Sequence, residues 1–122
     1  MVLIDTSIWI DHFNRSDPIL QFLLTEYEAA IHPYVLGELA CGNFKNRNEL
    51  FGLLSNLPSI AEISTEEYFV FLEKNKLYGL GLGFVDIHLL ASSLIAQCSI
   101  YTRDKTLLNV ANSLKIGYKQ SR

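Results

Sequence analysis

The chain alternates short apolar runs with longer segments in which apolar residues recur at helical spacing. Three of the short runs, 2–5, 29–32 and 99–102, end at or next to a polar residue or proline, which predicts buried β-strands. The pair Gly-Tyr at 117–118 predicts a last short strand. The segment 59–64, which follows Pro58, predicts an extended piece of chain.

Seven longer segments predict helices, and several begin at residues that favour a helix N-terminus. Asp17 and Pro18 form an N-cap and first-turn pair, Pro33 opens another helix, and Thr65 precedes two glutamates. Gly79 is expected to end the longest of these helices. The predicted helices cover 6–13, 19–27, 34–42, 49–57, 66–79, 87–97 and 105–114.

The regular alternation of strands and helices predicts an α/β fold. Right-handed crossovers between parallel strands place helices on both faces of a sheet, so the expected architecture is a three-layer α/β/α sandwich around a central, mainly parallel sheet. The chain of 122 residues contains no repeat or linker, and 49% of its residues are hydrophobic. These features predict a single domain over 1–122.

Composition limits the cellular compartments in which the protein is expected and the ways in which it could bind nucleic acid. No apolar run approaches the ~18 residues of a membrane span, and Asp5 would interrupt a signal peptide, so we expect a cytoplasmic protein with no membrane association. Cys41 and Cys98 show no metal-ligand or CxxC spacing and are expected to be buried, reduced thiols. The net charge of -3 argues against general electrostatic binding of nucleic acid.

Three aspartates fall at junctions between predicted elements, and a glutamate lies inside an apolar helix. Asp5 ends the first strand, Asp86 begins the helix that leads into the third strand, and Asp104 begins the next helix. Glu38 is the acid within VLGELACG. Ligands of parallel α/β sheets bind beyond the carboxyl ends of the strands, so the four acids predict a shared acidic pocket. Each aspartate could instead act only as an N-cap, and Glu38 could be an exposed helix residue.

An acidic pocket of this kind predicts a bound cation. Clustered carboxylates repel one another, and a cluster that ionises and folds usually has a counter-cation. Ligands made only of oxygen favour a hard ion, which predicts Mg²⁺, with Mn²⁺ as a substitute. Such an ion would attract a phosphodiester, lower the pKa of an attacking water and stabilise the leaving oxygen.

Four segments, in order, resemble the PIN-domain family and, more closely, the VapC-type toxin ribonucleases of toxin-antitoxin pairs. They are VLIDTSIWIDHF, VLGELACG, GLGFVDIHLLASSL and YTRDKTLL. The resemblance spans nearly the whole chain. It implies the three-layer fold and a Mg²⁺- or Mn²⁺-dependent endoribonuclease whose RNA substrate could be a structured RNA such as tRNA. It also implies a homodimer and neutralisation by a VapB-type antitoxin.

The resemblance also implies the site residues. Carried over by motif, the metal-binding and catalytic acids are Asp5, Glu38, Asp86 and Asp104. Thr102 matches the hydroxyl position of the T-x-D segment, where it would orient a metal-bound water or Asp104.

One position departs from the family pattern. Many members carry an Asp followed by Phe just after the T-x-D segment, whereas Thr106 and Leu107 stand here. We therefore expect one well-formed Mg²⁺ site, and a second ion only where RNA phosphate supplies ligands.

Other classes of protein remain as alternatives. A receiver-type phosphoacceptor domain has a similar length and an acidic magnesium pocket, but it resembles this chain less because Asp5 has no acidic neighbour. Ser7 stands where a haloacid-dehalogenase phosphatase would need a second Asp. A catalytically silent PIN-like interaction module is the third alternative.

Further side chains have two interpretations each. His12, His32 and His88 share no metal-ligand spacing and are interpreted as structural. Core packing or an apolar face for an antitoxin helix could explain four aromatic residues, Trp9, Phe13, Phe22 and Phe44. Phosphate contacts or surface ion pairs could explain four cations, Arg15, Lys45, Arg47 and Arg103.

Overall fold

A computed structural model describes residues 1–119, and this part of the chain folds into three strands and seven helices. The strands are β1 (Val2–Ile4), β2 (Ala29–Ala30) and β3 (Ser99–Tyr101). The helices are α1 (Thr6–Asn14), α2 (Pro18–Thr25), α3 (Pro33–Ala40), α4 (Arg47–Ser55), α5 (Thr65–Lys74), α6 (Phe84–Ala96) and α7 (Lys105–Ser113).

The three strands form a parallel sheet in the order β2-β1-β3. Single parallel bridges extend it on both sides, Ile31 with Ser59 and Ile100 with Gly117. The segments predicted at 59–64 and 117–118 thus contribute one bridge each to the sheet. All residues of the central strand β1 are buried, as expected where helices cover both faces. The predicted α/β fold with a parallel sheet is confirmed.

The core gathers around β1 and α6. Helix α6 is apolar on most sides, and seven consecutive residues, 87–93, are buried. The side chains of Leu89, Leu90 and Ile100 are fully buried, at 0% exposure. This rigid centre holds the carboxyl ends of β1 and β3 in place, and these ends carry the functional side chains.

Helix α5 ends at Lys74, so the predicted helix over 66–79 is five residues too long. Lys76 adopts the left-handed conformation at φ 52°, and the Leu77 N–H donates to the Leu72 carbonyl at 3.1 Å. This hydrogen bond and that of the Lys76 N–H to the Glu73 carbonyl form a Schellman motif. A lysine at the left-handed position gave no sequence signal of the kind that glycine gives.

Helix α6 begins at Phe84, so Asp86 is its third residue and does not act as the predicted N-cap. Gly83 occupies the N-cap position, and its backbone N–H donates to Asp86 Oδ2 at 2.9 Å. A capping box uses an acid at this third position in the same way. The apolar Phe84 and Val85, placed before the acid, belong to the helix rather than to the loop.

The two cysteines differ in environment. Cys98 is buried as expected, and burial raises the pKa of its thiol. Cys41 is exposed, so the expectation of a buried thiol is wrong there. It is the C-cap of α3, one residue beyond the last helical turn that packs on the core.

Among residues 1–119, none of the helices combines the length and hydrophobicity that a bilayer-spanning segment needs.

Candidate active site

Asp5 follows β1 directly, and three donors fix its carboxylate. The Thr6 backbone N–H donates to Oδ1 at 2.8 Å, and the hydroxyls of Ser7 and Thr102 donate to Oδ2 at 2.9 and 2.6 Å. The residue is 7% exposed. Its own N–H donates to the Tyr101 carbonyl at 3.0 Å, so the ends of β1 and β3 meet at this acid.

Glu38 reaches the same place from α3. The Thr6 hydroxyl donates to Glu38 Oε1 at 2.6 Å, although the two residues are 32 positions apart in the chain. Thr6 therefore contacts Asp5 through its backbone and Glu38 through its side chain. Glu38 is exposed to solvent, and Thr6 connects it to Asp5 at the end of β1.

Thr102 joins Asp5 to the segment after β3. Its hydroxyl is buried, donates to Asp5 Oδ2 and accepts the Asp104 backbone N–H at 3.0 Å. Asp104 Oδ1 in turn accepts the Leu107 N–H at 3.0 Å, so Asp104 caps α7. The T-x-D segment thus places one hydroxyl between two acids.

Asp86 lies within the electrostatic field of the other three acids. Burial is the largest cause that raises the pKa of Asp86, and the negative charges of Asp5, Asp104 and Glu38 raise it further. The Gly83 N–H opposes these effects only in part. Hydrogen bonds through Thr6 and Thr102 thus join Asp5, Glu38 and Asp104 beyond the carboxyl ends of β1 and β3, and Asp86 lies close enough for their charges to raise its pKa.

The donor set suits a hard divalent cation in its chemistry. It consists of oxygen atoms only, and a cation would relieve the repulsion that raises the pKa of Asp86. Among residues 1–119, no three His, Cys, Asp or Glu side chains stand ready as a metal-binding group. Mg²⁺ commonly binds through one or two carboxylates and keeps several waters, so it does not need three such ligands.

Arg103 is engaged in ion pairs beside the acids. Its guanidinium donates to the carboxylates of Asp11 on α1 and of Asp17 at the start of α2. Asp17 also accepts from the Leu20 N–H at 2.9 Å and from the Tyr101 hydroxyl at 3.0 Å. Burial would raise the pKa of Asp17, but these two donors and Arg103 together lower it.

This arrangement links the T-x-D segment to α1 and α2, and it gives Arg103 a structural partner in place of a phosphate. The sequence pattern marks Asp17 only as an N-cap and gives no signal for Asp11. Asp17 and Arg103 are 86 positions apart, so no local pattern could have connected them.

The histidines have structural partners. His32 Nδ1 accepts the Tyr34 N–H at 3.0 Å, and its Nε2 lies 3.1 Å from the Ser92 hydroxyl oxygen. Burial lowers the pKa of His32 to about 4, with a smaller contribution from His88. His88 is 2% exposed and packs among aromatic rings. His12 accepts a backbone N–H at 3.0 Å.

A parallel α/β sheet with acids gathered beyond its carboxyl end is the arrangement expected of PIN-like nucleases. The family model of the PIN domain matches residues 2–113, and the chain belongs to this family. The chain is 41% identical over 108 residues to "Ribonuclease VapC32" of Mycobacterium tuberculosis, in strains CDC 1551 / Oshkosh and ATCC 25618 / H37Rv. The match covers 88% of this chain and 87% of the relative. The predicted family and its VapC-type likeness are confirmed.

Solved structures support the fold. The protein PAE2754 from Pyrobaculum aerophilum superposes with a TM-score of 0.66 at 15% identity, covering 96% of this chain and 87% of that one. FitAcB from Neisseria gonorrhoeae gives 0.63 at 20% identity, with coverage of 92% and 94%. FitAB bound to an IR36 DNA fragment gives 0.61 at 18% identity, with coverage of 92% and 91%.

Proposed function

We propose that this protein is a metal-dependent endoribonuclease and the toxin of a toxin-antitoxin pair that acts in the cytoplasm. One observation carries the proposal. Asp5 is joined by hydrogen bonds to Glu38 through Thr6 and to Asp104 through Thr102, and the charges of these three acids raise the pKa of Asp86. The 41% identity to a ribonuclease supports RNA as the substrate.

Three helix N-termini lie at the acidic site and contribute positive charge there. Asp5 caps α1, Asp104 caps α7, and Asp86 occupies the first turn of α6. Helix N-termini carry partial positive charge and free N–H groups, which favour anions. They partly offset the four carboxylates and would favour a phosphate next to a cation.

Asp5 and Asp86 would hold Mg²⁺, with Mn²⁺ as a substitute, and Asp104 and Glu38 would complete the acidic surroundings. When bound, the ion would activate a water for attack on the phosphodiester and stabilise the departing oxygen. Thr102 would keep Asp5 and Asp104 at a fixed separation through its hydroxyl. We expect one ion, because no further acid follows the T-x-D segment at 106–107.

The test is incubation of the purified protein with total RNA and Mg²⁺, with and without EDTA. Cleavage is expected to require the metal and to fall at least a hundredfold in Asp5→Asn and in Asp86→Asn. Glu73→Gln, which removes an exposed carboxylate from α5, is the matched control and should cleave like the parent. Cleavage that persists in EDTA or in both Asn variants would refute the mechanism. A parent protein that binds RNA without cutting it would favour the silent interaction module.

An apolar groove supports the antitoxin partner. A cavity of about 460 Å³ lies between α1, α2 and α4. Its lining includes Trp9, His12, Phe13, Leu24, Leu50, Leu53, Leu54 and Leu57. We propose that an apolar segment of a VapB-type antitoxin occupies it. Leu53 is 63% exposed, so Leu53→Glu should fold and lose antitoxin binding, whereas tight binding by this variant would exclude the groove.

The homodimer is also a proposal. Exposed apolar side chains on and after α5 support it, namely Phe69, Val70, Tyr78 and Leu80. Light scattering should give twice the chain mass for the parent and a lower mass for Val70→Glu. A monomeric parent at micromolar concentration would contradict the dimer.

A further inference from the structure

Phe84 is an exposed aromatic residue at the start of α6, the helix that carries Asp86. It is the first residue of α6 and stands two positions before Asp86. Its side chain is 57% exposed. Neither the acid cluster nor the core accounts for a ring held in water at this position.

Three other rings hold the Phe84 ring in place. Its centroid lies 4.5 Å from that of His88, 5.0 Å from that of Tyr68 and 6.2 Å from that of Tyr34. His88 and Tyr68 are buried, and they pack on each other at 4.7 Å with nearly parallel planes. The Phe84 ring therefore packs against two buried rings, those of His88 and Tyr68. A side chain ordered in this way loses little entropy when a ligand packs on it.

The helices that carry the two rings, α3 and α6, also carry two of the acids. On α6, Phe84 and Asp86 share the first turn, although side chains two positions apart in a helix point to different sides of it. On α3, Tyr34 and Glu38 are four residues apart and so share one face of the helix. The Tyr34 and Phe84 rings stack at an interplanar angle of 19°, which joins the two helices.

The charge of the chain favours a source of RNA affinity in addition to phosphate contacts. The chain has a net charge of -3, and Arg103, the cation inside the T-x-D segment, is paired with Asp11 and Asp17. Stacking of bases on aromatic side chains is the main contribution that does not need a positive surface, and it tolerates any base. Unpaired bases in RNA loops can be splayed out for such stacking.

We propose that Phe84, backed by Tyr34, is a stacking subsite for one unpaired nucleobase next to the phosphodiester at the acidic site. The substrate class rests on the proposed ribonuclease function. Phe84 binds and positions the RNA and takes no part in the chemical step. Cleavage should therefore favour RNA in which a base beside the cut bond can leave its stack.

The test is a cycle of binding measurements that removes the ring from the protein and one base from the RNA. All proteins carry Asp86→Asn so that binding is measured without cleavage, and the probe is a single-stranded RNA oligonucleotide with an abasic site moved along it. Phe84→Leu should weaken binding about tenfold, and Phe84→Tyr should keep it near the parent value. We expect one position in the RNA at which the abasic site weakens binding to the Asp86→Asn protein by a similar factor. At that position, the abasic site should weaken binding to the protein that also carries Phe84→Leu only slightly.

The matched control is Phe22→Leu on α2, where the ring is 50% exposed, and it should bind like the parent. In the cleavage-competent protein, Phe84→Leu should raise KM with little change in kcat. Equal effects of every abasic site on the parent and on Phe84→Leu would overturn the proposal. A lower mass of Phe84→Leu in light scattering, without coupling to any base, would make Phe84 a subunit contact and also overturn it.

The binding cycle does not depend on cleavage, so the two proposals fail separately. Coupling between Phe84 and one base in a protein that never cuts RNA would leave the stacking subsite standing and refute the ribonuclease function. Cleavage without coupling would do the reverse.

Discussion

Acidification is expected to destabilise the protein through His32. The side chain is 0% exposed, and its Nδ1 accepts the Tyr34 N–H, so the buried ring is neutral. Burial and, to a smaller extent, the charge of His88 lower its pKa to about 4, against the opposing effect of Glu62. His32 is the N-cap of α3, the helix that carries Tyr34 and Glu38. Its protonation would therefore loosen one wall of the acidic site.

The pKa values of His32 in the unfolded and the folded chain determine the direction and the size of this change in stability. As the pH falls below 6.5, the unfolded chain binds a proton at this histidine, whereas the folded chain does so only near pH 4. The stabilisation is thus complete above pH 6.5 and is lost as the pH falls towards 4. The full loss is about 3 kcal/mol, of which about 2 kcal/mol is lost by pH 5.

Urea unfolding at pH 8, 6 and 5 measures this loss when the parent is compared with His32→Asn. Asparagine keeps a side-chain acceptor for the Tyr34 N–H at the N-cap, but it does not titrate. The free energy of unfolding of the parent should fall by about 2 kcal/mol more than that of the variant between pH 8 and pH 5. A difference between the two proteins that stays constant within ~0.5 kcal/mol across this range would refute the buried neutral histidine.

Three further substitutions test the site and its supports. Asp86→Asn removes a carboxylate whose pKa is raised by burial and by neighbouring acids, so it should raise the Tm in EDTA and weaken stabilisation by Mg²⁺; a Tm several degrees lower in EDTA would contradict this. Thr102→Val removes the hydroxyl that donates to buried Asp5, so unfolding experiments should show a loss of about 1–3 kcal/mol, and RNA cleavage should fall; unchanged stability would exclude this bond as a support. The Ser93 hydroxyl is buried without a hydrogen-bond partner among residues 1–119. Ser93→Ala should therefore raise the free energy of unfolding or change it by less than ~0.5 kcal/mol. A loss above ~1 kcal/mol would reveal a partner.

Much of the fold could be predicted because its signals are local. The apolar run before Asp5, the pair Asp17-Pro18 and Pro33 each mark an element end within the sequence itself. The structure places α1 directly after Asp5, α2 at Pro18 and α3 at Pro33. The order of strands and helices then determines that the carboxyl ends of parallel strands share one edge.

Other features depend on contacts that sequence spacing does not encode. The end of α5 is set by Lys76 in a left-handed conformation, which most residues adopt at a small cost only where the chain requires it. The ion pairs of Arg103 join segments that are far apart in the chain. The contacts of Phe84 with Tyr68 and Tyr34 likewise depend on the packing of α5 and α3 against α6. These contacts arise from tertiary packing, and they surround the site rather than form its acids.

A role of the aspartates in helix capping is compatible with a metal site, because a carboxylate has two oxygen atoms. Asp86 uses Oδ2 for the Gly83 N–H, and Asp104 uses Oδ1 for the Leu107 N–H. The second oxygen of each has no hydrogen-bond donor within residues 1–119. Capping therefore fixes the direction of each acid and leaves one oxygen for a cation. Asp5, whose oxygens both accept hydrogen bonds from nearby groups, would be the most rigid member of such a set.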